Sequence, residues 1–534
     1  MYPKSIVLLG LGLVTAAASA AAVLSARANS TFENPVVYED FADNDVTVGP
    51  DGLYYFSASN MHYSPGAPIL RSADLVNWEL IGHSVPSLDF GETYNLTNGH
   101  SYRGGTWAST MRYRESNGLW YWIGCVDFWN TYIYTAEDVA GPWERSAQLP
   151  GGTCYYDCGL LVDDDDTLYV VYGSTEVHVA QLASDGLSEE TSQSVLNATD
   201  VDQDGIEGNR MYKKDGLYYI LNDHPGDTTY IWKSESPFGP FEAKILVQNA
   251  QSPVPGGGAP HQGSLVQTSE GDWYYMSFTW AYPAGRMPVL APIVWEDDGF
   301  PSLVYDDNGG WGAQYPYPLP AAEVPSWTGT DTFEDETLGP AWEWNHNPDE
   351  TKYSVGGENG GLTLSTATVT DDFYAARNTL THRIHGEFPV GTIKVDISDL
   401  ADGDRFGLAA FRDRTAYIGI HRSGDVNTLA LVHNITQDES TWDTIENGTV
   451  IASEELASDT TTLWLRAELD ARAAGSYAAN FSYSLDGDEF VQLGDEPYTM
   501  WTNWAYFMGY RFGIFNYATK ELGGAVHVQS FESA

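Results

Sequence analysis

Short runs of four to eight apolar or alternating residues, rich in Tyr, Val, Ile and Trp, recur along the first 300 positions, each pair separated by a turn. The clearest is Tyr156 to Gly173, YDCGLLVDDDDTLYVVYG: an apolar run, an acidic turn, then a β-branched and aromatic run suited to a pleated, buried surface. The same strand-turn-strand unit returns at 43–60, 107–125, 207–222 and 261–278, making five copies. Aligning Leu53, Leu119, Leu168, Leu217 and Trp273 gives spacings of 66, 49, 49 and 56 residues, the length of a propeller blade of about four strands. Further strand-like segments such as ILRSADLVNW and IWKSESPFGPF follow each copy and complete the blades. The pattern therefore predicts five blades over residues 32–315.

The repeat lapses in the Pro-, Gly- and aromatic-rich stretch from Asn308 to Thr330, of which 316–330 reads as an ordered linker. From Asp331 the chain again consists of strands broken by Gly, Asn and Asp, such as GTIKVDISDL, AYIGIHR and TLALVHN. About a dozen such segments fit a β-sandwich over 331–534. Helical periodicity is nearly absent beyond the leader, so the whole reads as an all-β protein in two lobes.

Innermost strands of a propeller converge on one axis, so the residues just before each aligned position share a funnel. Ten to twelve places upstream stand Asp43, Trp107, Asp157, Glu207 and His261. Three acids facing a sugar-sized cavity suggest glycoside hydrolysis, in which one ionised carboxylate activates water and one protonated carboxyl donates to the departing oxygen. A third acid separates the two roles, because its charge raises a neighbour's pKa. Asp45 lies two residues after Asp43 and would share its side of a strand. Trp107 reads as a stacking platform for a sugar. Asp163 to Asp166 reads as a solvated turn, and Asp202 and Asp204 as loop residues before Glu207.

Composition narrows the partners. With 25 Lys and Arg against 74 Asp and Glu, the formal charge of −49 disfavours nucleic acid and anionic membrane and tolerates a neutral polymer. Eighteen Trp and 34 Tyr supply faces on which sugar rings stack. Lys4, the apolar run from Ile6 to Val14 and the small residues Ala18-Ser19-Ala20 have the pattern of a secretory signal peptide, residues 1–20, and imply an extracellular protein. Cys125, Cys154 and Cys158 allow one bridge and leave one thiol, with the pairing open. Sequons at Asn29, Asn95, Asn197, Asn434, Asn447 and Asn480 are glycosylation candidates. G-x-S-x-G, H-E-x-x-H and phosphate-cradling glycine motifs do not occur, which argues against acyl transfer, zinc hydrolysis and nucleotide use.

ADNDV around Asp43, YDCGLLVDDDD around Asp157, IEGNRMYKKDGLYY around Glu207 and HQGSLV around His261 resemble, in order and spacing, glycoside hydrolase family 43. Resemblance to that family implies a five-bladed propeller of inverting arabinofuranosidases, xylosidases and arabinanases. The stretch from Phe333 to Arg383, with WEWNHNPD and ARNTLTHR, looks like the concanavalin-like sandwich of its xylosidase-like members. NMHYSPGAPILRSADLVNWELIGHSVP at 60–86 looks most like fungal arabinofuranosidases acting on doubly substituted arabinoxylan. Carried over, Asp43 is the general base, Asp157 the tuning and orienting acid and Glu207 the general acid; Arg286 matches a substrate-contacting arginine. His261 would stand by water or a structural calcium at the axis, with no cofactor required for the reaction. DNDV departs from the commoner family pattern, which has Pro after the base.

The implied protein is a secreted, monomeric, inverting exo-arabinofuranosidase acting on plant cell-wall arabinoxylan or arabinan. Rival readings are a β-xylosidase or arabinan-trimming enzyme and, in another class, a non-catalytic carbohydrate-binding protein. Buried acids argue against the last, since a neutral sugar does not need them and their desolvation is costly. The sandwich could close a pocket wall, bind polymer or only stabilise the propeller.

Overall fold

The computed structural model describes residues 30–357 and 360–534. The leader expected at 1–20 and the sequon at Asn29 lie outside the described residues. Five four-stranded antiparallel meanders form the N-terminal lobe, a five-bladed propeller, and two packed sheets form the C-terminal sandwich. The innermost strands are Asp45–Val48, Thr110–Arg114, Gly159–Val162, Glu207–Lys214 and His261–Gln267, one from each repeat. Each runs outward through its aligned strand, so blade 3 is Gly159–Val162, Leu168–Gly173, Glu176–Leu182 and Glu189–Asn197.

The ring is closed by non-local contacts. Thr31–Glu33 pairs with Gln314–Pro316, joining the two ends of the propeller. Asn34 beside it donates from Nδ2 to the carbonyls of Leu290 and Gly312, both at 2.9 Å. These bonds answer backbone groups that the last blade would otherwise leave unpaired in the interior.

Edge strands of the sandwich behave differently from its middle. Thr462–Leu469 alternates half-buried and buried positions, as a strand with one face on a core should, and Leu463 and Leu465 pack in the large cluster between the sheets. Thr444–Glu455 is exposed along almost its whole length at the end of the eight-stranded sheet. The strand Gly329–Asp331 pairs with Ala525–Ser533 and so begins inside the stretch read as linker. Its residues carry no apolar alternation, so the sequence pattern did not mark it.

The lobes share a sheet. Tyr63–Ser64, from the first blade's excursion, pairs with Trp342–Asn345 and becomes the far strand of the eight-stranded sheet. Behind that seam Glu343, fully buried, accepts from Arg511, from Arg383 Nη2 at 3.3 Å and faces His83 Nε2 at 2.8 Å. Both arginines also donate to Asn60 Oδ1 of the propeller, at 2.6 and 2.9 Å. Gly509 lets the sandwich come close, since a Cβ there would sit 1.9 Å from the carbonyl oxygen of Ala284.

Burial opposes ionisation of Glu343, but Arg383 and Arg511 outweigh it and hold the carboxyl well below the ordinary glutamate range. Its stabilising contribution is therefore present above the unfolded glutamate value of about 4.3 and is lost as the pH falls below it. Glu343→Gln leaves two buried guanidinium groups short of a counter-charge and should cost about 3–5 kcal/mol. Urea unfolding at pH 7 measures the loss; a cost under 1 kcal/mol would show the seam holds without the charge.

Candidate active site

All five residues that the repeats place at the axis line one cavity of about 390 Å³. Glu207 and His261 open their strands; Asp43, Trp107 and Asp157 lie in the two or three residues before theirs. Asp43 and Asp157 adopt left-handed backbone, φ 58° and 47°, which turns their side chains from the strand direction into the mouth.

The three carboxyls have different surroundings. Asp43 accepts from Arg286 Nη1 at 2.7 Å and from Ser59 Oγ at 2.6 Å. Asp157 Oδ2 accepts from the Gly208 amide at 3.0 Å and Gln262 Nε2 at 3.4 Å, yet its burial and the charges of Glu207 and Asp43 push its pKa well above the aspartate range. Glu207 is also pushed up, first by burial and then by Asp43, against the hydrogen bond that Tyr156 OH donates to its Oε2 at 2.9 Å. Such an arrangement can hold one carboxyl protonated beside another that is ionised.

The carbonyls behind these residues are tied together by Arg210, which is fully buried. Its guanidinium donates to the carbonyls of Asp43, Asn44, Cys158 and Asn209 at 2.7–3.3 Å, so one side chain fixes the turns carrying Asp43 and Asp157 to the strand carrying Glu207.

Asp45, the neighbour in sequence, turns away from the cavity. Fully buried, it binds Thr110 Oγ1, the Met111 amide and Arg112 Nη1 at 2.6, 3.0 and 2.7 Å. Strand alternation fails between Asp43 and Asp45 because the strand begins only at Asp45. The acidic turn is a solvated turn only in part: Asp163 is buried and accepts from Lys213 and, at 2.6 Å, from Tyr218 OH, while Asp166 pairs with Arg114. The turn's outer carboxylates thus clamp blade 3 to blades 4 and 2. Asp202 and Asp204 lie on the loop before Glu207 and do not line the cavity.

Arg286 is buried, and its Nε also donates to the Phe507 carbonyl of the sandwich at 3.0 Å. Trp107, half-buried, presents its ring to the cavity between Phe128 at 4.8 Å and Phe507 at 5.7 Å. The sandwich supplies Phe507 and Trp504 to the lining, so it closes one wall. Cys125 and Cys154 form the disulfide, and Cys158 is a buried thiol whose pKa burial pushes up to about 12.

His261 faces the Ala259 carbonyl through Nδ1 at 2.9 Å and is pushed down to about 4 by burial, so it is neutral. One imidazole nitrogen is a poor start for calcium, which takes six to eight oxygens, and among the described residues no three His, Cys, Asp or Glu side chains converge on one point. The side chains present do not make a protein-built calcium cage. Of the sequons, Asn434 and Asn447 are exposed on sandwich strands, while Asn95, Asn197 and Asn480 are half-buried. Asn95 Oδ1 accepts from Asn347 Nδ2 at 3.1 Å, and Asn197 caps a 3-10 turn.

Several residues at or behind the site gave no repeat signal: Arg103, Tyr156, Gln262, Phe507 and, beneath the floor, Asp223. Asp223 pairs in register with Glu207 and is fully buried with neither carboxyl oxygen hydrogen-bonded. A charged residue within the otherwise uncharged strand run LYYILN-D-H was the one available clue.

Both lobes match known families. The description "Glycosyl hydrolases family 43" matches residues 32–301, and "Beta xylosidase C-terminal Concanavalin A-like domain" matches 330–533. A beta-xylosidase of Formosa agariphila is 27% identical across 95% of this chain and 90% of its own length. A non-reducing end alpha-L-arabinofuranosidase of Bacteroides ovatus is 30% identical across 63% and 65% of the two chains. Among solved structures, a GH43 glycoside hydrolase whose active-site engineering generates an enzyme displaying both endo-xylanase and exo-arabinofuranosidase activity is 42% identical, with a TM-score of 0.90 over 95% of this chain and 100% of that one.

A propeller carrying a carboxylate-floored, aromatic-walled pocket defines a glycoside hydrolase. The chain belongs to glycoside hydrolase family 43.

Asp223 gives a pH test of the buried floor. Burial first, then the charges of Glu207, Asp157 and Asp43, raise its pKa well above the ordinary range. Between the unfolded value of about 3.9 and that raised value, the folded chain holds a proton the unfolded chain has released, so stability falls as pH rises. Asp223→Asn should leave the melting temperature nearly unchanged at pH 4 and raise it at pH 8. A pH-independent difference would show that Asp223 is not proton-linked to folding.

Proposed function

We propose that the protein is a secreted, inverting exo-α-L-arabinofuranosidase that removes arabinose side chains from arabinoxylan, specifically the O3-linked arabinose of doubly substituted xylose. The observation that carries this reading is the single pocket in which three differently surrounded carboxyls face one sugar-sized space. The 42% identity to an enzyme with exo-arabinofuranosidase activity supports the choice of sugar.

In this reading water attacks the anomeric carbon from the Asp43 side and gives its proton to Asp43. The glycosidic C–O bond breaks as Glu207 protonates the leaving oxygen. Arg286 and Ser59 orient the base. Asp157, fixed by the Gly208 amide, sits against the acid and helps to keep its proton in place. Arg286 and Trp107 lie where they can also hold the sugar. No cofactor enters the reaction, and a calcium near His261 would have to be held largely through water. The leader pattern supports secretion, and Asn434 and Asn447 are the sequons best placed for glycans; we take the enzyme to act as a monomer.

A β-xylosidase is the second reading, favoured by the full-length similarity to the Formosa agariphila protein named as one. Purified protein on wheat-type arabinoxylan, with proton NMR of the residual polymer, separates them. Loss of only the O3-linked arabinosyl signals on doubly substituted xylose is expected; xylose release would favour the second reading, and binding without product would favour a carbohydrate-binding protein.

Glu207→Gln should lower kcat about 100- to 10,000-fold with binding retained. Because the Glu207 pKa is raised, wild-type activity should persist above the ordinary glutamate range and fall as pH rises through the raised value; the variant's residual rate should lack that limb. Full activity in the variant would remove Glu207 from the acid role.

A further inference from the structure

Arg103 stands apart from every other arginine among the described residues. Its guanidinium donates no hydrogen bond and faces no carboxylate, whereas each of the others has at least one such partner. This happens in a chain with 74 acids for 25 Lys and Arg, where a counter-ion is easily found. Arg103 is half-buried in the cavity lining, and its Nε is sealed from solvent without a partner. Burial lowers its pKa somewhat from the arginine value, but a guanidinium stays charged at any working pH.

The side chain is nonetheless held in place. The Arg103 amide donates to His62 Nδ1 at 3.1 Å, and the Ser101 amide donates to His346 Nε2 at 2.9 Å, so two buried histidines pin the segment. The residue adopts left-handed backbone at φ 64°. Its guanidinium lies 4.4 Å from the ring centre of Phe507 and 5.6 Å from that of Trp107, both cavity residues. Tyr156 and Arg286 are the charged or titratable groups that act on it most strongly. An oriented fork of donors with nothing to donate to, on the wall of a sugar-sized pocket, is suited to oxygen acceptors brought by a ligand.

We infer that Arg103 is a substrate-contacting specificity residue that donates hydrogen bonds to a hydroxyl of the terminal sugar in the pocket. The carboxyls on the floor oppose an anionic sugar, which leaves a neutral polyol as the acceptor. The inference rests on the arabinofuranosidase reading for the identity of that sugar. The competing role is a cation–π strut: packed on Trp107 and Phe507, Arg103 would only hold the propeller against the sandwich.

The test pairs Arg103→Met, which keeps the apolar stem, with aryl α-L-arabinofuranosides that are intact or deoxygenated at C2, C3 or C5. On the intact substrate the variant should lose about 10- to 100-fold in kcat/KM, mostly through KM, as expected for a charge-assisted hydrogen bond. For one of the deoxy substrates the wild type should show a comparable loss, and the variant should show no further loss, because the same bond has already been removed. The melting temperature is read alongside. An equal loss on intact and all deoxy substrates, or a lowered melting temperature with unchanged kcat/KM, would overturn the inference and leave the strut. A wild type that releases arabinose from neither the intact arabinofuranoside nor arabinoxylan overturns the arabinofuranosidase reading itself, and the inference with it, before the variant is needed.

Discussion

One buried guanidinium holds the chemistry together. Arg210 sends its donors to carbonyls of the turns behind Asp43 and Asp157 and to its own strand beside Glu207. Buried carbonyls need partners and a buried cation needs neutralising dipoles, so each satisfies the other. Asp45, 3.5 Å away and itself bound to Arg112, supplies the formal counter-charge. Burial around this fastened axis comes first, and the charges of the neighbouring carboxylates add to it, in raising the pKa values of Asp157, Glu207 and Asp223, against the partial relief that Arg210 and Arg286 supply. The electrostatics of the site is thus a by-product of how the propeller axis is fastened.

The second constraint is the seam between lobes. Asp40 of the propeller accepts from the Arg286 amide at 2.7 Å and the Gly509 amide at 3.0 Å, so the segment bearing the substrate wall is fixed by the same residue that positions the Asp43 partner. Arg286 then joins the Asp43 carboxylate to the Phe507 carbonyl. Stability of the seam and geometry of the site are consequently coupled through a few short bonds.

Much of this was legible in sequence, for a definite reason. Period-two alternation and a repeat near 50 residues report burial directly, so blade number and the axial positions of Asp43, Trp107, Asp157, Glu207 and His261 could be read from spacing. Contacts that cross between repeats could not. Asp163 looked like one of four equivalent aspartates until its partners in blade 4 were in view. Asp45 looked equivalent to Asp43 until left-handed backbone broke the alternation. Phe507 and Arg103 come from segments with no repeat of their own: only the closing of the sandwich over the propeller brings Phe507 to the pocket, and Arg103 sits in a loop held by His62. Which two cysteines pair was likewise decided by the meeting of a strand end and a loop.

The strand Tyr63–Ser64 puts the apparent border between modules in the wrong place. Covalently, the chain passes from one lobe to the other near residue 330; in hydrogen bonding, the second lobe already contains two residues from the first blade. An isolated sandwich would present an open edge at Trp342–Asn345, and an isolated propeller would offer a dangling pair with nothing to pair to. A nick in the connecting stretch would therefore leave one particle, whereas a gene cut there would leave two incomplete ones. For shuffling of parts between relatives, the unit of exchange is the whole two-lobed body.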